Sequence, residues 1–273
     1  MPFFIHENIT FHYLEKGTGI AFLFQHGLGG DVEAVFALIE PPSGFRLIGM
    51  DFRGHGKTSP LGAVEKIAFD CFADDLIALM DHLGIQSGII GGTSMGGGVA
   101  LNCALRYPNR VLGLVLQRPA WLDGPRPENV TIFARIAKLI REHGPQVGLE
   151  IFRRSPLYAS IAAESNDSAN SLVMLFTHPR AIETVEKLER IPQDAPNRDR
   201  RQWHKISVPT LVLANGRDPI HPFDYGKTLA QGIPGAEFNE VTPKSVNLTQ
   251  YTADVRSYIG DFFKRHWGAT VLG

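Results

Sequence analysis

The stretch from Gly91 to Gly97 reads GGTSMGG and sets one serine, Ser94, inside the pattern G-x-S-x-G. An apolar run precedes it and a helix-like segment follows, the arrangement that presents a nucleophilic hydroxyl on a tight strand-to-helix turn. Its glycines permit the cramped backbone of such a turn and close packing of the helix on a sheet. The competing reading is a serine that merely caps a helix. On the nucleophile reading, the backbone N–H of Met95 stands at a helix N-terminus, unpaired and able to stabilise an oxyanion. A serine hydroxyl attacks poorly until a base takes its proton, so a base must be sought elsewhere in the chain. A second chemical group, Arg118 with Trp121 in LQRPAWLDG, follows another apolar run. In open α/β sheets that is the mouth where ligands bind. There Arg118 could pair with a substrate carboxylate or join two parts of the protein by a salt bridge.

These residues need elements to position them. Residues 20–25, 45–50, 87–92 and 111–117 read as short strands apolar enough to be buried on both faces. Helical spacing fills 66–83 and 95–107, with Ile67, Phe72, Leu76, Leu79 and Met80 on one stripe. Strand–helix alternation of this kind implies a mostly parallel sheet with helices on both faces. From 122 to 205 no strand is expected, only helix-like pieces broken by Pro and Gly, whose Phe133, Ile136, Phe152, Met174, Leu175 and Phe176 give an apolar underside. Strands resume at 208–216 and 236–242, and a helix at about 248–265 closes the chain. The expected division is a core of 1–121 and 206–273 and a helical cap of 122–205.

The chain has 273 residues, is 44% hydrophobic and 20% charged, and carries a net charge of -1. That suits one large globular domain with an insertion and offers no electrostatic reason to expect nucleic acid or an anionic membrane. Two cysteines, Cys71 and Cys103, suggest neither a disulfide framework nor a metal knuckle. No basic-then-apolar leader opens the sequence and no apolar run is long enough to span a bilayer. The expectation is a cytoplasmic protein acting on a small molecule, without metal or organic cofactor, with a homodimer left open.

Four pieces fall in order on strand ends: QHGLGG (25–30), DFRGHGKTS (51–59), GGTSMGG (91–97) and ANGRDPIHP (214–222). Together they resemble the α/β-hydrolase family, and within it the cap-bearing esterases, 3-oxoadipate enol-lactonases and carbon–carbon bond hydrolases. The resemblance implies Ser94 as nucleophile, Leu28 N–H as second oxyanion donor beside Met95, and Asp218 as the carboxylate that orients an imidazole. An Asx-turn is the other role open to Asp218. His26 and His55 are read as loop-structural. The family's histidine belongs on the loop after the last strand, yet here EVTPKSVNLTQ (240–250) has none.

Three assignments compete for the vacancy. His221, three residues past Asp218, needs no unusual pKa to act near neutrality, and is preferred. Next comes a non-hydrolytic or ligand-binding role without a working triad. Third is Lys244, in the vacated place, whose amine would need a strongly depressed pKa. His178, in FTHPRA, is a further candidate to point into the cleft. The function expected is a serine-type hydrolase of a small ester, lactone or ketone, with a carboxylate on the substrate left open.

Overall fold

The computed structural model describes residues 2–271. Among them eight strands form one sheet: β1 Phe3–His6, β2 Ile9–Gly17, β3 Ile20–Gln25, β4 Phe45–Met50, β5 Gly88–Thr93, β6 Val111–Gln117, β7 Thr210–Ala214 and β8 Glu237–Glu240. Their spatial order is β1-β2-β4-β3-β5-β6-β7-β8. β2 pairs antiparallel with β1 and β4, and every other pairing is parallel. Strand order reverses between β3 and β5, because the chain leaves β3 for β4 on one side and reaches β5 on the other. The loops after those two strands therefore diverge at their carboxyl ends and open a crevice, the place where such sheets bind ligands.

The helices are α1 Val32–Leu38, α2 Phe69–His82, α3 Met95–Arg106, α4 Thr131–Arg153, α5 Pro156–Glu164, α6 Asn166–Thr177, α7 Glu186–Arg190, α8 Phe223–Gly232 and α9 Leu248–Val271. Both faces of the sheet are covered, which is why β3 and β5 to β7 read as continuous apolar runs. On one face Val35 of α1 and Tyr251, Val255, Ile259 and Phe262 of α9 pack on Phe22, Phe24 and Leu213. On the other, α2 and α3 bury Phe69, Phe72, Leu76, Met95 and Val99 against Leu23, Ile90 and Leu116. Among the described residues no helix is long and apolar enough to cross a membrane.

One difference from the sequence expectation lies at the start, where β1 and β2 form a hairpin. Its turn is Glu7-Asn8, both at positive φ (48° and 64°), as a two-residue type I′ turn requires. The hairpin is fixed to the core by charge. Arg53 donates to Asp75 at 2.6 Å and to Glu7 at 2.5 Å, and Asp51 accepts from the ring of His12 at 2.8 Å.

Between β6 and β7 the described chain holds only helices and short 3-10 turns. α4 is kinked at Gly144 (φ 72°, ψ 165°), followed by Pro145. Two basic residues tie this insert to the loop after β4. Arg180 donates to the carbonyls of Gly56 (2.9 Å) and Thr58 (2.8 Å), and Lys187 donates to that of Gly54 at 2.8 Å. Lys187 is only 6% exposed. Burial, helped by the charge of Arg180 and opposed by Asp51 and Asp31, lowers its pKa to about 7.

Lys187 makes stability depend on pH. The folded amine has released its proton by pH 8, whereas an unfolded lysine holds one to about pH 10.4. Across that window the unfolded chain binds more protons, so stability rises with pH. Measured by urea unfolding, wild type should gain up to roughly 3 kcal/mol relative to Lys187→Met between pH 7 and pH 9.5. A difference that does not change with pH rejects the neutral buried amine.

Candidate active site

Ser94 stands between β5 and α3 with φ 57° and ψ -114°, a conformation that costs a non-glycine residue of the order of 1–3 kcal/mol. Two hydrogen bonds hold it there: Ser94 N–H donates to the Gln117 carbonyl at 2.9 Å, and Ser94 C=O accepts from Gly98 N–H at 3.1 Å. The turn needs its flanking glycines, since a β-carbon on Gly92 would lie 2.4 Å from the Gly96 carbonyl carbon. Ser94 occupies the helix N-cap position but its side chain makes no capping hydrogen bond. Its Oγ has no partner among the described residues, so the capping explanation for this serine falls away.

The loop after β3 passes directly over it; a β-carbon on Gly27 would sit 3.3 Å from that of Ser94. Neither Leu28 N–H nor Met95 N–H has an acceptor among the described residues. The two histidines of these loops are structural. His26 Nε2 accepts from Phe52 N–H at 3.2 Å, which leaves its proton on Nδ1, 2.8 Å from the Gly27 carbonyl. Burial, opposed by Asp51, lowers the His26 pKa and keeps the ring neutral. His55 bridges the carbonyls of Arg53 and Leu28, both at 2.9 Å.

Asp218 follows β7 and is buried. Its Oδ1 accepts from the N–H of Ile220 (3.3 Å) and His221 (3.2 Å) and from the hydroxyl of Ser168 (3.3 Å). His221 Nδ1 lies 3.0 Å from both carboxylate oxygens, and Arg118 donates Nε (2.8 Å) and Nη2 (2.6 Å) to Oδ2. Burial acts to raise the Asp218 pKa, but the charges and hydrogen bonds of His221 and Arg118 overcome it and hold the carboxyl well below its usual range. For His221, burial and the Arg118 charge outweigh the pull of Asp218, so its pKa falls below the ordinary 6.5. A neutral ring donating Nδ1–H to Asp218 leaves Nε2 as a free lone pair. Asp218 thus makes the Asx-type turn and orients an imidazole at once.

Ser94, Leu28, Arg118, His221 and Lys244 line one cavity of about 490 Å³. No hydrogen bond joins Ser94 Oγ to the His221 ring in this ligand-free arrangement, and such contacts often tighten only around substrate. Three expectations change. Trp121 is 2% exposed, packs edge-on against Phe69 and does not line the cavity; the turn after β6 directs it into the core. Arg118 does line it, yet the donor pair expected to meet a substrate carboxylate is committed to Asp218. His178 faces a separate small pocket beside Lys187 and is not in the main cavity.

Lys244 occupies the loop after β8, and its ammonium lies 3.2 Å from Asp167 at the start of α6. Asp167 and Ser168 were not singled out by the sequence; the only local signal is Ser165, which caps α6 by accepting from Ser168 N–H. Tyr251 of α9 accepts from the Gln117 amide and lies beneath Arg118, 5.9 Å from its guanidinium carbon. Elsewhere, His6, Glu7 and Asp75 bring possible metal ligands within 4.8 Å of one another. Arg53 and Lys66 already occupy that cluster's carboxylates.

A family model for the alpha/beta hydrolase fold matches residues 20–245. The chain is 27% identical over 244 residues to the AB hydrolase superfamily protein YisY of Bacillus subtilis, covering 85% of this chain and 86% of that one. It is 26% identical over 270 residues to a 2-hydroxy-6-oxononadienedioate/2-hydroxy-6-oxononatrienedioate hydrolase of Comamonas testosteroni, covering 90% and 87%. Among solved structures, the enol-lactonase from Burkholderia xenovorans LB400 superposes with a TM-score of 0.73 at 21% identity, covering 96% of this chain and all (100%) of that one.

The backbone at Ser94 gives a test that needs no substrate. Alanine keeps the β-carbon that makes φ 57° costly, and glycine removes it. Ser94→Gly should be more stable than Ser94→Ala by roughly 1 kcal/mol, after allowing for the looser unfolded chain of glycine. Equal or reversed stabilities in chemical denaturation would mean that the turn is relaxed.

Proposed function

Because this chain belongs to the α/β-hydrolase fold family, we propose that it hydrolyses a small ester or lactone, with Ser94 as nucleophile and His221 as its base. The observation that carries this reading is the Asp218–His221 contact, with Nδ1 3.0 Å from both carboxylate oxygens, on a loop lining the same cavity as Ser94. Asp218 and His221 lie three residues apart, so one loop supplies the carboxylate and the imidazole that a triad needs.

In the proposed reaction, Ser94 Oγ attacks the carbonyl carbon while its proton passes to His221 Nε2, directly or through one water. The oxygen that gains negative charge is held by Leu28 N–H and Met95 N–H, donors worth several kcal/mol when preorganised in a dry site. Collapse of the tetrahedral intermediate breaks the carbon–oxygen bond, and His221 returns the proton to the departing alkoxide. A water that gives one proton to the same nitrogen then attacks the acyl carbon, and as the bond to Ser94 Oγ breaks His221 returns that proton to Oγ, releasing the acid and restoring the hydroxyl. Asp218 stays ionised throughout and supports the imidazolium. The helices of the insert act as a cap over this site. Relatives named for enol-lactone and carbon–carbon bond hydrolysis support a carbonyl substrate. The competing reading, a binding protein without turnover, is favoured by the absence of a histidine between 240 and 250.

Covalent labelling with a fluorophosphonate distinguishes the two. Wild type should be labelled and Ser94→Ala should not. On 4-nitrophenyl esters, His221→Ala should lose at least about a hundredfold in kcat/KM, the span of general-base catalysis, while Lys244→Ala retains most of it. Because the His221 pKa lies below 6.5, the acid limb of the kcat/KM profile should fall below pH 6.5. Loss in Lys244→Ala with activity kept in His221→Ala would move the base to Lys244. Folded wild type that neither labels nor turns over any ester or lactone would establish the binding reading.

A further inference from the structure

The main cavity is lined mostly by apolar side chains, among them Phe133, Leu172, Met174, Leu175, Ile220 and Leu248. Two lining residues carry full charge, Arg118 and Lys244, and each is backed by a carboxylate. Arg118 is bound to Asp218 at 2.6 and 2.8 Å. Lys244 lies 3.2 Å from Asp167, which also stands 3.7 Å from Arg118. His221 and His26 are held neutral. The two cations that line the cavity are therefore each matched by a carboxylate behind its wall, and a substrate carboxylate arriving there would meet Arg118 and Lys244 with their charges already offset.

Asp167 belongs to the insert and Lys244 to the loop after β8, so their ion pair spans the cavity's edge between two separate parts of the chain. Among the described residues Asp167 is the only carboxylate paired with Lys244. We propose that Asp167 is a specificity-determining residue that makes this cavity select uncharged, apolar carbonyl substrates, by holding the charge of Lys244. This rests on the hydrolase reading above and names its substrate class. Without Asp167, Lys244 becomes a cation facing an apolar cavity with Tyr251 beside it, 5.6 Å from the ring centre. A carboxylate on the substrate would then be drawn in. At 24% and 26% side-chain exposure the pair is partly screened, so the effect is a moderate one.

The test compares mono-4-nitrophenyl glutarate with its methyl ester, which differ by one charge. Wild type should favour the methyl ester in kcat/KM. In Asp167→Asn the ratio of acid to methyl ester should rise by roughly tenfold, mainly through KM for the acid. Adding Lys244→Met should return the ratio to the wild-type value. A ratio that moves less than about twofold in Asp167→Asn, a rise that survives Lys244→Met, or a wild type that favours the acid overturns the proposal. A binding arm keeps the substrate class separate from the chemistry. In the Ser94→Ala background, 4-phenylbutyramide should raise Tm more than 4-phenylbutyrate, and Asp167→Asn should reverse that order. Reversal by Asp167→Asn in a protein whose wild type hydrolyses neither ester would sink the hydrolase reading alone. Ester hydrolysis without any reversal would sink the role of Asp167 alone.

Discussion

A carboxylate ionised in a nearly dry place organises one end of this molecule. Asp218 keeps its charge because hydrogen bonds from two backbone N–H groups, a hydroxyl, an imidazole and a guanidinium converge on two oxygens. Those partners come from different elements: Arg118 from the end of β6, Ser168 from α6 of the insert, and His221 from the loop after β7. A buried ion pair stabilises little in itself, yet removing one partner typically costs about 3–5 kcal/mol because the other is left uncompensated. Arg118 is held in turn by strained backbone (φ 48°) and by its N–H donating to the Leu213 carbonyl at 2.7 Å. The strand ends, the insert and the imidazole are thereby locked to one charge. Loss of Asp218 would damage the fold as well as the proposed chemistry, so His221 is the cleaner handle on the proposed reaction.

The sheet explains why these groups meet Ser94. Reversal of strand order between β3 and β5 leaves the loop of Leu28 and the turn of Ser94 as neighbours at one open edge. β6 and β7 follow in order on the same side, so Arg118 and Asp218 emerge next to them. Parallel pairing places all four carboxyl ends on one rim. The strain stored at Ser94 is sustained by that packing: the glycine contacts of the turn admit no β-carbon, and the serine cannot relax into an ordinary cap.

Much of this was legible in the sequence because burial on two faces leaves a one-letter signature. The apolar runs at β3, β4 and β6 end where the strands end. The closing helix also appears where one was expected, with Tyr251, Val255, Ile259 and Phe262 of α9 buried. The N-terminal hairpin was missed for a physical reason. Its turn uses Glu7-Asn8 at positive φ without a glycine, and β2 is buried at consecutive positions Phe11, His12 and Tyr13, so alternation is lost. Site residues separated according to how local their environment is. Ser94 and Asp218 sit in motifs whose shape is set within a few residues. Arg118 and Trp121 lie three residues apart, yet one turns to the cavity rim and the other into the core against Phe69. Only the path of the chain after β6 decides between them. Asp167 carries no local mark, since its meaning depends on Lys244, which is far along the chain.

On the proposed mechanism the loop after β8 need not supply the base. A base brought from that loop needs a carboxylate on a different loop to orient it, so two chain segments must hold their relative position. Placing His221 three residues after Asp218 shortens that dependence to one turn, in which Asp218 Oδ1 also accepts the His221 backbone N–H. Pro222, at φ -54°, starts α8 immediately afterwards and limits how far the ring's backbone can drift. On the proposed mechanism the loop after β8 has no proton to transfer. What it holds instead is a cation, Lys244, and a bare ammonium lining the same cavity as the proposed base would oppose its protonation. Asp167 cancels that field from the insert side. The departure at 240–250 and the unmarked acid of α6 are therefore two halves of one electrostatic arrangement, and the neutral cavity follows from both.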